Sequence, residues 1–386
     1  MGLLDAGLLS IALLGSCMAI RGRFRLLGAA AFAKLFVVAV FAFLSDVPAV
    51  HDLVVRLNVD QGWYNATAQS VADAVSKYGF FIDYTWVVGN QNFLYNAVLG
   101  VYAAANGSLN PVSYLLLNFA VYAGIVFFCL RIRRTLGGKG NDAVFAAVLF
   151  LLPSLNIYSM LMLRDLLIGL VLCAFIDALL TKRYLSQVVI LSVMFALRNQ
   201  FALILLLASA FDWYMRNRRI VALPLRVSIG GLAAIAALFV VADSRYGYML
   251  DNLNPWFLAG FFSWMPFGFL GLDFVVQDSS VLAASFGSLV LYRLISPETF
   301  LLPLLFAVSL VRAKRFSPEW RRLAGVLCLV LLVYCFGYYT EYKLMFVRLF
   351  IPFYPVFFVM TYDVFADVCG RIYETIQGRV LRANRV

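Results

Sequence analysis

Charge is scarce in this chain and histidine is almost missing. Only 13% of its 386 residues are Asp, Glu, Lys or Arg, and His51 is the single histidine. A water-soluble domain usually carries about a quarter charged residues, so water is not the solvent for most of this chain. No GxSxG and no Ser/His/Asp set occurs, which disfavours a serine hydrolase. Neither GxxxxGK[ST] nor a GxGxxG after a strand is present, which disfavours a nucleotide-powered pump. The six cysteines, Cys17, Cys129, Cys173, Cys328, Cys335 and Cys369, form no CxxC and fall in or at the end of apolar runs. A disulfide framework or a zinc site is therefore not expected, and no metal ligands are assigned. The first ten residues, MGLLDAGLLS, lack a basic n-region, so the first apolar run reads as a retained helix rather than a cleaved signal.

What is present is hydrophobic. Apolar residues make up 63% of the chain and the mean hydropathy is +0.89. The net charge of +11 is not a nucleic-acid patch, because the basic residues stand in short groups between apolar runs. They are Arg21, Arg23 and Arg25; Arg131, Arg133, Arg134 and Lys139; Lys182 and Arg183; Arg216, Arg218 and Arg219; Arg312, Lys314, Arg315, Arg321 and Arg322; and Arg371, Arg379, Arg382 and Arg385. Basic loops at intervals are the positive-inside signature of a multi-pass protein. With roughly 20 apolar residues per crossing, the expectation is an all-α polytopic membrane protein of about eleven transmembrane helices. Residues 1–386 read as one transmembrane domain, with extracytoplasmic segments at 45–111 and 242–296 and a basic cytoplasmic tail at 367–386. The N-terminus is then outside and the C-terminus inside.

Several spans are informative individually. Residues 3–20 and 26–44 form a first pair of crossings, and 93–105 is apolar but short, as in a re-entrant or interfacial helix. Residues 112–130 cross to RIRR, 143–157 return, and 158–180 cross again. The run from Tyr184 to Tyr214 has basic groups on both sides and is interrupted by Arg198, Asn199 and Gln200. Two short helices meeting there keep both basic groups on one side, and half-length helices are tolerated where protein shields them. The expectation is a hairpin with Arg198 at its outer tip. Spans 221–241, 297–311, 323–339 and 349–365 follow, with 281–296 as a partial helix and Glu341–Arg348 as a short outer loop.

This topology leaves Arg164, Arg198, Arg245, Lys343 and Arg348 among the cations of the outer side, and Lys34 inside the second span. Cations at membrane depth usually face a cavity, a partner or an anion. Arginine's planar fork suits phosphate oxygens, so several from different helices form a lipid-phosphate site. The bland reading of each is a nearby carboxylate or a snorkelling side chain. Asp60, in VDQGWYNATA, is placed either as the general base towards a sugar hydroxyl or as the N-cap of a helix over 62–75. Asp165, directly after Arg164, is a second acidic group or an interfacial charge. Trp63 and Tyr64 are candidate sugar-stacking rings, with interfacial belt residues as the alternative, and Glu341 shares the last outer loop with Lys343.

Four stretches resemble the GT-C superfamily of membrane glycosyltransferases, in the order that superfamily shows them. VDQGWYNATAQSVADAVSKYG is similar to its first outer loop, with Asp60 at the position implied as catalytic base. LPSLNIYSMLMLRDLLIGL resembles the Pro-containing helix followed by an acidic residue, here Asp165. FALRNQFALILLL resembles a pair of short helices around an arginine, here Arg198, and YKLMFVRLFIPFYPVFFV the closing loop and last helix, with Arg348. Two helices precede the first outer loop where one is usual, and no soluble C-terminal domain follows. The arginine pair Arg164 and Arg198 also resembles Wzy-type O-antigen and polysaccharide polymerases.

The resemblance implies a bacterial inner-membrane enzyme that moves a sugar or oligosaccharide from a polyprenyl-phosphate or pyrophosphate carrier to a glycan or lipid acceptor. Asp60 and Asp165 would be catalytic. Arg164, Arg198, Arg348, Lys343 and Arg245 would hold the lipid phosphate, and Tyr64, Trp63 and Glu341 the sugar. No cofactor is implied, with a divalent cation left open. The partners are the lipid-linked donor, the acceptor and membrane lipids, and no nucleic acid. A repeat-unit polymerase and a lipid-linked glycan flippase stand as the alternatives.

Overall fold

The computed structural model describes residues 2–22, 25–44, 47, 61–89, 93–161, 164–217, 297–342 and 347–367, and only the backbone of 61 and of 336–342 and 347–349. The described residues are helical, without strands. In chain order they form α1 (Leu3–Arg21), α2 (Arg25–Leu44), α3 (Gln61–Tyr78), α4 (Tyr84–Val88), α5 (Leu94–Asn106), α6 (Pro111–Thr135) and α7 (Asp142–Phe150). Next come α8 (Pro153–Ser159), α9 (Arg164–Leu180), α10 (Tyr184–Asn217), α11 (Glu298–Val311) and α12 (Pro318–Tyr342). The 3-10 turns Ala313–Arg315 and Val347–Phe353 flank α12, and residues 354–367 are helical (α13). The expected spans at 221–241 and 281–296 lie outside the described residues.

The chain is an all-α, membrane-embedded protein. α1, α2, α6 and α10 are each long and apolar enough to cross a bilayer, and α7 with α8, bent by 52°, makes a fifth candidate. Large apolar side chains such as Leu3, Ile11, Phe36 and Phe43 point outward from α1 and α2, as expected where lipid replaces water.

Hydrogen bonds and ion pairs stitch the basic turns into one end of the bundle. Arg131 pairs with Asp177 at 3.0 Å, joining the ends of α6 and α9. Arg133, 2% exposed, pairs with Asp142 at 2.5 Å and Asp363 at 3.6 Å, and packs against the rings of Phe145 and Tyr362. Its guanidinium also donates to the Lys139 carbonyl. Asp212 on α10 accepts from Arg216 at 2.6 Å and forms an ion pair with Arg322 at 2.8 Å. The Ser317 hydroxyl reaches the Leu136 carbonyl, and the Trp320 indole donates to the Met360 carbonyl. A groove between Arg21, Arg25, Asn141 and Ala143 brings the α1–α2 turn to the same end.

The run 184–217 passes on length and hydropathy as a single crossing, but its ends refute that. A straight helix of that length would run ~51 Å. Instead Gln187 donates to the Ala178 carbonyl and Arg216 to the Leu179 carbonyl, so both ends of α10 sit at the C-terminus of α9. The fold-back is at Arg198, whose φ of −162° and ψ of 93° leave the helical region. The second leg packs antiparallel to α12: Asp212 meets Arg322 near one end, and the Phe201 ring meets Tyr334 near the other.

At the opposite end, Asp5 ties α1 to α5 and α6. Its carboxylate accepts from the Gly2 amide (3.0 Å), the Tyr102 hydroxyl (2.8 Å), Asn106 Nδ2 (3.0 Å) and the Ser113 hydroxyl (3.2 Å). α3 lies on α5 at Gly100, where an added Cβ would stand 2.4 Å from Val71 and 2.7 Å from the Ala68 carbonyl.

Three expectations are corrected. The spans 143–157 and 158–180 are three helices, because Pro153 starts α8 after a bend and the chain unwinds after Ser159. Glu341 is not in a loop but in the last turn of α12. The helix after Asp60 runs over Gln61–Tyr78 rather than 62–75.

Candidate functional site

The site forms at the start of α9 and the break within α10, at the end opposite the basic turns. After Ser159 the backbone at Met160 and Leu161 leaves the helix, and its carbonyls need donors. Asn118 of α6 supplies them, its Nδ2 donating to the carbonyls of Ser159 (3.0 Å) and Leu161 (2.8 Å). Lys34 of α2 braces the other side, with Nζ 2.7 Å from Asn156 Oδ1 and 2.8 Å from the Ser159 hydroxyl, and 3.8 Å from the Tyr122 ring centre. Among the described residues no carboxylate pairs with Lys34. Its charge is met by neutral oxygens and a π face.

From this braced turn α9 opens with Arg164 and Asp165 in its first turn. Asp165 is 2% exposed. Its charge, with those of Arg164 and Arg198, reaches the buried hydroxyl of Tyr334 on α12. Asp165 also acts on Tyr95 of α5, together with Tyr64 and Tyr114. Arg164 at the start of α9 and Arg198 at the break in α10 thus lie near Tyr334 of α12, and Asp165 lies near both Tyr334 and Tyr95 of α5. Aromatic rings close the sides: Tyr334 meets Phe353 at 5.1 Å and Phe201 at 5.2 Å, and Tyr64 meets Tyr95 edge-on at 5.1 Å.

Two polar atoms in this region have no hydrogen-bond partner among the described residues although they are buried: Nε of Arg164 and the hydroxyl of Tyr95. Buried polar atoms are rarely left so. A donor-only guanidinium nitrogen and a phenol hydroxyl together fit a ligand that presents acceptor oxygens. A carboxylate beside them can also take a proton from a hydroxyl.

Of the residues singled out in the sequence, Arg164, Asp165 and Arg198 come together, and Tyr64 joins them through Tyr95. Trp63 stands apart, half-exposed on α3. Arg348 lies in the turn Val347–Phe353, which touches α9 where Pro352 approaches Gly169, but its side chain and that of Glu341 lie outside the described ones. Asp60, Lys343 and Arg245 lie outside the described residues; α3 begins at Gln61, directly after Asp60. Among the described residues no three His, Cys, Asp or Glu side chains gather as metal ligands. Sequence reasoning missed Tyr95, Tyr334 and Asn118. With 16% aromatic residues, nothing set those tyrosines apart, whereas Lys34 was conspicuous as a charge inside an apolar run. Comparison with protein-family models, with curated proteins and with solved structures returns no match.

Proposed function

We propose that this chain is a membrane glycosyltransferase that takes a sugar or oligosaccharide from a polyprenyl-phosphate or pyrophosphate carrier. In this reading about eleven helices cross a bacterial inner membrane, the basic end faces the cytoplasm, and the N-terminus and the arginine site face the periplasm. The observation that carries the reading is the closeness of Arg164, Asp165 and Arg198 to Tyr334, with a buried Arg164 nitrogen that has no hydrogen-bond partner among the described residues. A partly buried pair of cations of this kind suits a phosphate group, and a lipid-borne phosphate is the one that reaches it from the bilayer.

Chemically, Asp60 takes the proton of the acceptor hydroxyl as that oxygen attacks the anomeric carbon. The carbon–oxygen bond to the carrier breaks with inversion, and its electron pair leaves on the phosphate. Arg164, Arg198 and Arg348, with Lys343 and Arg245, stabilise that charge, the role of preorganised cations. Asp165 is the second catalytic acid of this reading, close to the same Tyr334 as the two guanidiniums. Tyr64, Trp63 and Glu341 face the sugar.

The test is purified full-length protein in detergent with a polyprenyl-linked sugar donor and a glycan acceptor. Asp60→Asn is expected to abolish product while donor binding survives, and Arg164→Ala or Arg198→Ala to weaken donor binding. Binding without product in the unaltered protein would favour a flippase and refute the transferase. Products of increasing length would mark a repeat-unit polymerase.

A further inference from the structure

A groove of about 550 Å³ opens where the α1–α2 turn meets α7. Arg21, Gly22, Arg25 and Leu26 line it from that turn, and Asn141 and Ala143 line it from the start of α7. Packing fixes the place of the two arginines. Gly28 lets α2 press on α1, since an added Cβ would stand 2.7 Å from the Ser16 carbonyl. Arg21 is in the last turn of α1, and Arg25 is the first residue of α2. Neither forms an ion pair among the described residues. Asp142, between Asn141 and Ala143, is already paired with Arg133 and Arg134.

The groove is therefore positive and rich in hydrogen-bond donors. A cation at a helix N-terminus adds to the positive end of the dipole instead of offsetting it. Arg25 nevertheless opens α2, and no acid stands in that first turn. Asn141 is oriented by its own cap: its Oδ1 accepts from the Ala143 amide at 2.8 Å, which leaves Nδ2 as its second, donating edge. Two guanidinium forks and an amide donor fit the oxygens of a phosphate. We propose that this groove binds the phosphate of an anionic phospholipid from the surrounding bilayer. α1 and α2, of 19 and 20 residues, are each long and apolar enough to cross it, and a turn between two crossing helices lies at headgroup level. Leu26, half-exposed, sets an apolar wall beside the cations, which suits a phosphate that carries acyl chains. Basic pockets between transmembrane helices hold headgroups in this way. The groove shares its end of the bundle with the Arg133–Asp142 pair, away from Arg164 and Arg198, and stands independently of the glycosyl-transfer reading.

The experiment is thermal unfolding of the purified full chain in detergent with added phosphatidylglycerol, phosphatidylcholine or inorganic phosphate, at constant ionic strength. Phosphatidylglycerol is expected to raise the midpoint to a plateau, as a ligand of the folded state does. Phosphatidylcholine should raise it far less, because its choline brings a cation towards the arginines. Arg21→Gln and Arg25→Gln should each weaken the apparent lipid affinity about fivefold, the weight of one basic group at a membrane surface. Asn141→Asp keeps an oxygen that caps α7 and puts an anion of the chain's own into the groove, so it should remove the rise with the fold intact. A midpoint indifferent to phosphatidylglycerol, or an equal rise with phosphatidylcholine, overturns the site. So does a rise that inorganic phosphate reproduces, or one unchanged in all three variants.

Discussion

Lys34 and Arg133 are both 2% exposed, yet they solve burial differently. Arg133 is held by two carboxylates, Asp142 and Asp363, so truncating it strands negative charge as well as losing the contact. Breaking such a pair typically costs about 3–5 kcal/mol, here towards the lower figure because Asp142 is partly exposed. Lys34 is met only by neutral groups, and its removal takes the buried charge away. Arg133→Ala is therefore expected to lower the thermal midpoint in detergent well below that of Lys34→Met, and equal losses would refute this division. At the surface, Asp83 caps α4. The Thr85 hydroxyl, with the amides of Trp86 and Thr85, holds its carboxyl below the ordinary 3.8. A depressed carboxyl stabilises above its unfolded value and ceases to as pH falls through its folded one. Amide exchange at Thr85 and Trp86, corrected for intrinsic rates, should thus lose protection below pH 3.8, but not in Asp83→Asn, where the protection is already weaker at neutral pH.

Helix contacts give sharper tests. Cys129 on α6 and Cys173 on α9 have sulfurs 3.8 Å apart in the core, so a membrane-permeant oxidant such as iodine should link them. Peptide mapping that finds both thiols free would contradict the α6–α9 packing. Gly100 allows α5 to lie against α3, and Gly100→Leu would drive a side chain into Val71 and the Ala68 carbonyl. Overpacking of that kind costs about 1–3 kcal/mol, read as a lowered thermal midpoint. Donor binding should weaken with it, because α5 carries Tyr95. At this scale much was legible in advance. Arg198 betrayed the hairpin because basic groups on both sides forbade a straight crossing, and Pro153 with Asp165 marked a boundary. The unwound turn at Met160 and Leu161 was hidden, since the carbonyls of Ser159 and Leu161 are satisfied by Asn118 from a helix some 40 residues earlier. Local sequence does not encode such a pairing.

The whole molecule is polarised: the paired charges of Arg131, Arg133, Arg216 and Arg322 collect at one end, and interrupted helices at the other. Basic clusters in the sequence announced that polarity, but not that Asp142, Asp177, Asp212 and Asp363 would neutralise much of it. Single cysteines at the exposed positions Lys139, Lys182 and Arg315, in a background without Cys17, should all react with an impermeant maleimide from the same side of a sealed vesicle. Labelling of Lys182 and Arg315 positions from opposite sides would break the hairpin topology. That hairpin also fixes a depth. Its first leg, Tyr184 to Leu197, reaches roughly 21 Å at ~1.5 Å per residue, short of a hydrocarbon core of about 30 Å. In the proposed orientation Arg198 would ride below the plane of the far headgroups, and the proposed anion, tethered to a long hydrocarbon tail, would meet it by sinking, while anything hydrophilic attached to that anion would stay in the water above.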